Sequence, residues 1–300
     1  MLKLRIPAST ANIGPGFDTF GMALGYYSYI MAEEADRFQL ELKGEGAEYL
    51  STGRNNLAVR AAQAVYDAVD AGPLQLKIVM ENNIPLARGM GSSAASIVGG
   101  LLIANRFLGE PLSEAQLLQM AVTIEGHPDN VLPAFLGGFV AACKDEADGL
   151  RKIKINPPAE LKAVVVVPEI RLSTERARAV MPKEISMTDA VFNMSHAVMV
   201  ALALEHGDWQ LFRAALKDRM HQPYRLPLIK GSEAVMAGAQ NAGALGCALS
   251  GSGSTMIAYA KRGDNLDAIG RAMVAAFRAE AVQSRYIKLD IDNEGAKFLD

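Results

Sequence analysis

Residues 84–96 read IPLARGMGSSAAS. Gly89 and Gly91 lack the side chains that hold a backbone away from a bulky anion, so their amides can approach a phosphate closely. The loop leads into a predicted helix that runs from Ser92 to about Leu108 and is closed by Gly109. Its first residues, Ser92, Ser93, Ala94 and Ala95, offer unpaired N–H groups at the positive end of the helix dipole, which is a ready anion site. The hydroxyls can donate hydrogen bonds to a phosphate or offer an oxygen to a magnesium ion. Taken alone, the same letters also fit a plain helix start with a serine cap and small residues for packing. A Walker loop is excluded, because no Gly-Lys-Ser/Thr follows four residues after a glycine. Gly89-x-Gly91-x-x-Ala94 fits a dinucleotide turn, and Glu110 lies beyond it. However, Pro85 and further loop residues separate strand from glycine, and a helix follows where a parallel strand is needed.

Upstream, residues 2–7 form a predicted strand that runs into PASTANIGPGFD, residues 7–18, and further strands are expected near 22–32 and 36–43. A helix after Asn55 and Asn56 carries Leu57, Ala61, Ala64, Val65 and Ala68 at helical spacing and stops at Gly72–Pro73. Residues 74–80 alternate as a strand. Ser113 and Gln116 form a capping box that opens another helix. NPPA at 156–159 is the strongest mid-chain boundary and predicts two domains, 1–155 and 156–300. After it come an apolar strand (162–167), helices near 188–206, 208–218 and 228–241, and a glycine-rich hairpin at 244–260 containing LSGSGSTMIAY. A helix at 265–280 and a strand YIKLDID finish the pattern. Strands and helices interleave without regular alternation, so the fold class is α+β and not a doubly wound sheet.

Three hundred residues suit two domains sharing a cleft. A net charge of −3 argues against a nucleic acid or an anionic membrane as partner, so any polyanion must be held by a local site. Cys143 and Cys247 stand alone, and the four histidines show no metal-ligand spacing, so free thiols and no zinc are expected. MLKLRIPAST has no apolar core long enough for a signal peptide, and the longest purely aliphatic run, Ala163 to Val167, is far short of the ~20 residues that span a bilayer. A cytoplasmic protein is expected.

Each of the three glycine-rich loops is ordinary alone. Placed at the start, middle and end of one chain, they resemble the GHMP kinases, a family with an amino-terminal loop, a central PxxxGxGSSAA phosphate loop and a carboxy-terminal glycine-rich loop in this order. The resemblance spans the whole chain, and the central motif is its specific part. PASTANIGPGFDTFG lacks the Lys or Arg usual in members directed at mevalonate or galactose, and with EGHPDNVLPAFLGGF at 125–139 it resembles the homoserine-directed branch. The resemblance implies an amino-terminal domain with a left-handed βαβ crossover, a ferredoxin-like carboxy-terminal domain, and ATP and substrate between them. It further implies phosphorylation of the L-homoserine hydroxyl, a step towards threonine. Other readings are a kinase for another small alcohol of the threonine, shikimate or mevalonate type, and a non-catalytic relative that binds a metabolite. A homodimer is compatible with the family.

On that resemblance Pro85, Leu86, Ala87, Arg88, Gly89, Met90 and Gly91 hold the ATP phosphates, together with Ser92, Ser93, Ala94 and Ala95. Glu125 is the implied Mg²⁺ ligand with Ser92 nearby, since a hard carboxylate oxygen suits that ion. Homoserine presents an ammonium, a carboxylate and a hydroxyl. Asp18 suits the ammonium, Asn12 either the ammonium or the hydroxyl, and Arg178 and Arg225 the carboxylate, which a planar guanidinium meets bidentately. His127 and Asn130 line the same pocket, with Asn130 near the hydroxyl. Asp129 is a candidate base, which a loose transition state does not oblige the enzyme to have. Without the family, the arginines read as surface salt bridges, Glu125 as a helix end and His127 as a structural residue. Asn55 and Asn56 either approach the nucleotide or cap the next helix.

Overall fold

In the computed structural model, which describes residues 1–145 and 149–299, two strands carry the first glycine loop between them. β1 (Leu2–Ala11) and β2 (Phe20–Glu34) outrun their expected bounds because Ser9, Thr10 and Ala11 pair with Ala23, Met22 and Gly21. Ladder bonding overrides the weak strand preference of small polar residues. β3 (Gln39–Gly44), α1 (Leu57–Ala68) and β4 (Leu76–Asn82) form a crossover unit in which β3 and β4 are parallel neighbours, Gln39 beside Lys77. α2 (Ser92–Phe107), α3 (Glu114–Glu125) and α4 (Pro128–Leu136) follow, then β5 (Phe139–Asp145) and β6 (Gly149–Ile155). The expected capping box opens α3, with Ser113 and Gln116 bonded reciprocally. α2 is apolar nearly all round and buried accordingly, with Ile97, Val98, Leu101 and Ile103 wholly inaccessible. Gly100 lets α2 meet α1 backbone to backbone: a Cβ there would fall 2.1 Å from Ala58 O.

β7 (Leu161–Pro168) opens the second half, followed by α5 (Thr174–Ala179), α6 (Met187–His206), α7 (Trp209–Ala215) and the single-turn α8 (Gln222–Arg225). α9 (Ser232–Asn241), β8 (Gly246–Leu249), β9 (Met256–Lys261), α10 (Leu266–Ala279) and β10 (Ser284–Asp290) complete it. These four strands are antiparallel in the order β10-β7-β9-β8, the arrangement of a ferredoxin-like βαββαβ unit. The alternation of β7 explains why it is apolar throughout. Val165 and Val167 join the core shared with the first half, while Val164 and Val166 face a second core with Val235, Ile269 and Phe277. α7 stops short of the expected residue 218 because the Asp218 carboxylate accepts the N–H groups of Met220, His221 and Gln222 and turns the chain into α8.

α6 has the length and composition of a membrane-crossing helix, but its inner face buries Asn193, Val200, Ala203 and Leu204 against the body of the protein. β11 (Lys297–Leu299) had no sequence signal. It pairs with β1, Lys3 beside Leu299, so the larger sheet takes strands from residues 2–155 and again from 297–299. Gly100→Val should lower stability by about 3 kcal/mol or more, because the branched side chain must push α1 off α2. Thermal or urea unfolding measures this, and an unchanged midpoint would show that the helix contact is dispensable.

Candidate active site

The three glycine-rich loops are bonded to one another. Asn12, Ile13 and Asp18 of the first loop hold left-handed backbone, with φ of 69°, 45° and 54°. That conformation is strained for a β-branched residue and persists only where neighbours impose it. Asn12 is clamped on both sides: its Nδ2 donates to Gly251 O at 2.9 Å, and its Oδ1 accepts the Asp18 N–H at 3.0 Å. Gly251 N–H donates to Ala11 O at 3.1 Å, and Thr255 N–H to Arg88 O at 3.1 Å. Ser250 Oγ donates to Gly89 O at 2.6 Å and lies 2.9 Å from Thr10 Oγ1. A Cβ on Gly89 would sit 2.0 Å from Ser250 O. This glycine is therefore required for loop-to-loop contact, a reason that the sequence did not reveal.

The loops border a cavity of about 600 Å³, lined by Pro85 to Ser93, Glu125, His127, Asp129, Asn130, Asn12, Asp18, Arg178 and Arg225. The N-cap of α2, Gly91, supplies no side-chain bond, so the amides of the first turn stay free towards the cavity. The side chains of two residues of the expected phosphate segment do not line it. Ala94 and Ala95 lie in the core, 0% and 2% exposed, and Ala95 N–H already donates to Gly91 O at 2.9 Å. Their small size serves packing. The Met90 side chain is likewise buried, while its carbonyl accepts the Ser9 N–H.

Glu125 ends α3, and its carboxylate accepts the Ser93 hydroxyl at 2.7 Å. Ser92, expected at its side, lies instead 3.5 Å from Asn82 Oδ1. Successive helix residues point different ways, so only one of the two serines can face α3. Burial lifts the Glu125 pKa above its ordinary value, an effect that Ser93 and His127 oppose only in part. Asp129 is buried between two neighbours: His127 Nδ1 lies 2.5 Å from its Oδ1, and Asn130 Nδ2 donates at 3.2 Å. Burial pulls the His127 pKa down, yet the Asp129 hydrogen bond and charge prevail and leave it raised. Asn130 Oδ1 accepts the Ser9 hydroxyl at 2.9 Å, which fixes the orientation of its amide.

Asp18 and Arg178, predicted to take opposite ends of a ligand, form a two-pronged ion pair with each other at 2.8 and 2.9 Å. Arg225 is 2% exposed, with Nε on Ala177 O at 3.1 Å. Both guanidiniums lie over the Phe17 ring, Arg225 at 4.9 Å and Arg178 at 5.7 Å, while His221 stacks on that ring at 5.5 Å. Phe17 and His221 escaped the sequence reading. Phe17 sits beside Asp18 in the first motif, and that adjacency was the available signal. Leu42, Tyr49, Leu50, Leu57 and Met80 add an apolar lining to the cavity, with Lys43, Glu45 and Arg171 also on the wall. Asn55 and Asn56 both line it, and Asn56 also caps α1, bonded to Ala58 N–H and Ser51 O at 3.0 Å each.

Two family models match the chain: the GHMP kinases N-terminal domain over residues 56–138 and the GHMP kinases C-terminal domain over residues 200–279. A homoserine kinase of Moorella thermoacetica is 44% identical over 296 residues, 99% of each chain. The crystal structure of homoserine kinase from Cytophaga hutchinsonii superposes with a TM-score of 0.90 at 28% identity, covering 99% of this chain and 97% of that one. A mevalonate kinase structure shares the fold alone, with a TM-score of 0.71 at 15% identity over 98% of this chain and 100% of that one.

The raised Glu125 pKa has a sign that can be checked. The neutral form is favoured in the folded state, so its stabilising effect is present at low pH and is lost as pH rises through the folded pKa. Glu125→Gln mimics the neutral form at every pH. It should melt a few degrees above the wild type at pH 8, with the gap closing as pH falls towards the ordinary carboxylate range. Melting curves of both proteins from pH 4 to 8 test this, and a lower midpoint at pH 8 would contradict it.

Proposed function

The chain belongs to the GHMP kinases, and on that footing we propose that it transfers the γ-phosphoryl group of ATP to the hydroxyl of L-homoserine. The observation that carries the substrate is the Asp18–Arg178 pair with Arg225 behind it. A zwitterionic amino acid can insert there by exchanging one ion pair for two, its ammonium on Asp18 and its carboxylate on the guanidiniums. A hydroxy acid such as mevalonate would take the arginines and leave Asp18 without its partner, which is costly in a half-buried site.

In this reading the free amides at the start of α2 and the loop from Pro85 to Gly91 take the triphosphate. The apolar lining around Leu42, Tyr49 and Leu50 takes the base. Glu125 would hold Mg²⁺ with Ser93 beside it, and Ser92, the residue before Ser93, would reach the ion only by turning from Asn82. Among the described residues no group of three His, Cys, Asp or Glu side chains could bind a metal alone, and one carboxylate is what suits an ion completed by phosphates and water. That ion would supply neutralisation of the β- and γ-phosphate charge.

Transfer forms a bond from the substrate oxygen to the γ-phosphorus and breaks the bond from that phosphorus to the bridging oxygen, while the hydroxyl proton leaves. Asn130, locked by Ser9 and Asp129, keeps one amide N–H for the hydroxyl oxygen. Asp129 then positions Asn130 and His127, and a dissociative transition state needs no strong base. We place the chain division near residue 155 and the reaction in the cytoplasm, where the free Cys143 and Cys247 remain reduced.

An ADP-release assay with Mg·ATP should show L-homoserine preferred over threonine, shikimate, mevalonate and galactose. Arg178→Ala should raise KM for homoserine by roughly 10²-fold, the loss of one charged bidentate contact, with KM for ATP little changed. Equal turnover of mevalonate would remove the assignment of Asp18 to an ammonium. Asp129→Asn should keep kcat within about tenfold and leave the pH–rate profile without a new acidic limb. A loss beyond about 10³-fold would instead identify Asp129 as the base.

A further inference from the structure

His221 stands just before α8 and is 0% exposed, yet it holds two of the segments that carry the cavity's charged groups. Its Nε2 meets Gly14 O of the first glycine loop at 2.8 Å, and its ring stacks on Phe17 with an interplanar angle of 24°. Its backbone carbonyl accepts the Arg225 N–H at 3.1 Å, and its own N–H donates to Asp218 at 3.0 Å. One residue thus grips both the loop that ends in Asp18 and the turn that carries Arg225. A carbonyl can only accept, so the bond to Gly14 puts the imidazole proton on Nε2. Nδ1 is buried and has no hydrogen-bond partner among the described residues, so a second proton would find no acceptor there. Burial holds the His221 pKa below its ordinary value against the pull of the Asp218 carboxylate, 3.6 Å from Nε2. A charged ring would also bring a third cation to Phe17, beside Arg178 and Arg225. The imidazole is therefore a neutral donor.

We propose that His221 is a positioning residue for the amino-acid substrate: by donating Nε2–H to Gly14 O, it holds Asp18 at the spacing from Arg225 that a molecule with both an ammonium and a carboxylate requires. The inference rests on the homoserine reading above. His221 does not line the cavity, so it acts through Gly14, Phe17 and Arg225 and not on the ligand itself. The loop depends on this bond because its backbone is strained. Asn12, Ile13 and Gly14 are left-handed in succession, with φ of 69°, 45° and 73°. Backbone of that kind keeps its shape only while its surroundings impose it. On one side the α7–α8 turn presses on the loop, since a Cβ on Gly14 would fall 2.4 Å from Leu216 O. On the other, Asn12 bonds Gly251 and the Asp18 N–H. Without the imidazole, the buried Gly14 carbonyl loses its partner, and the segment between these two holds is free to turn. Asp18 lies at the end of that segment, so its carboxylate shifts relative to the arginines while the phosphate loop stays in place.

Steady-state kinetics of three variants of the full chain test this role. His221→Phe keeps a ring on Phe17 but has no donor, and His221→Asn has a donor too short to reach Gly14 O. Each should raise KM for L-homoserine roughly tenfold with KM for ATP within about twofold of the wild type, and Asn serves should the Phe variant not fold. His221→Gln places a neutral amide N–H close to the position of Nε2, and should bring KM for L-homoserine back to within about threefold of the wild type. A purely structural residue would give a different pattern, in which KM for both substrates or the active fraction changes together and Gln rescues nothing. Donor-less variants with unchanged KM for L-homoserine overturn the proposal, as does an equal rise for ATP or a Gln variant as impaired as Phe and Asn. The failure of the substrate reading looks different again: a wild type inactive on L-homoserine overturns that reading and this role with it.

Discussion

Gly89 has no Cβ, and the space a Cβ would take belongs to Ser250 O. This close approach, from the middle of the chain to a loop near its end, is what draws the two halves into one site. Ser250 also reaches Thr10, Gly251 bonds Ala11 and accepts from Asn12, and through Asn12 the carboxylate of Asp18 is set opposite Arg178. The chain of dependence runs from a steric requirement at one glycine to the placement of an ion pair. Backbone groups make most of these bonds, which explains why they lie between rigid elements and tolerate little change in loop length or shape.

The charged groups are arranged in two neighbourhoods. Arg178, Arg225 and Asp18 gather around Phe17, whose ring face attracts both cations. Glu125, His127 and Asp129 gather beside the start of α2, where the helix dipole favours negative charge. Burial raises the pKa of the Glu125 carboxylate, and the Asp129 hydrogen bond and charge raise that of the His127 imidazole, so both groups favour their protonated forms.

The larger plan was legible in the sequence because it rests on local signals. The glycines, the capping pair Ser113 and Gln116, and the periodic apolar residues of α1 and α2 each act within a few residues of themselves. The cavity residues were legible as well, since motifs put Asp18, Glu125, Asn130, Arg178 and Arg225 in loops and helix ends. What escaped depends on distant partners. Whether Ser92 or Ser93 meets Glu125 is set by the rotation of α2 against α3. That Ala94 and Ala95 pack inward follows from the sheet beneath them. Phe17 and His221 meet only after two halves of the chain have folded together, and β11 is three residues long, too short for any periodicity.

β11 follows the whole ferredoxin-like unit in the chain, yet it completes the sheet that begins with β1. During synthesis Lys3 to Arg5 therefore emerge first and wait for their neighbour until residues 161–290 have been made. For that interval the β1 edge is an open template for other strands, guarded by its two cations, Lys3 and Arg5, whose like charges discourage a second nascent chain from pairing there. β1 is thus closed on this edge only after the ferredoxin-like unit has been made, and its charges serve the chain before that closure.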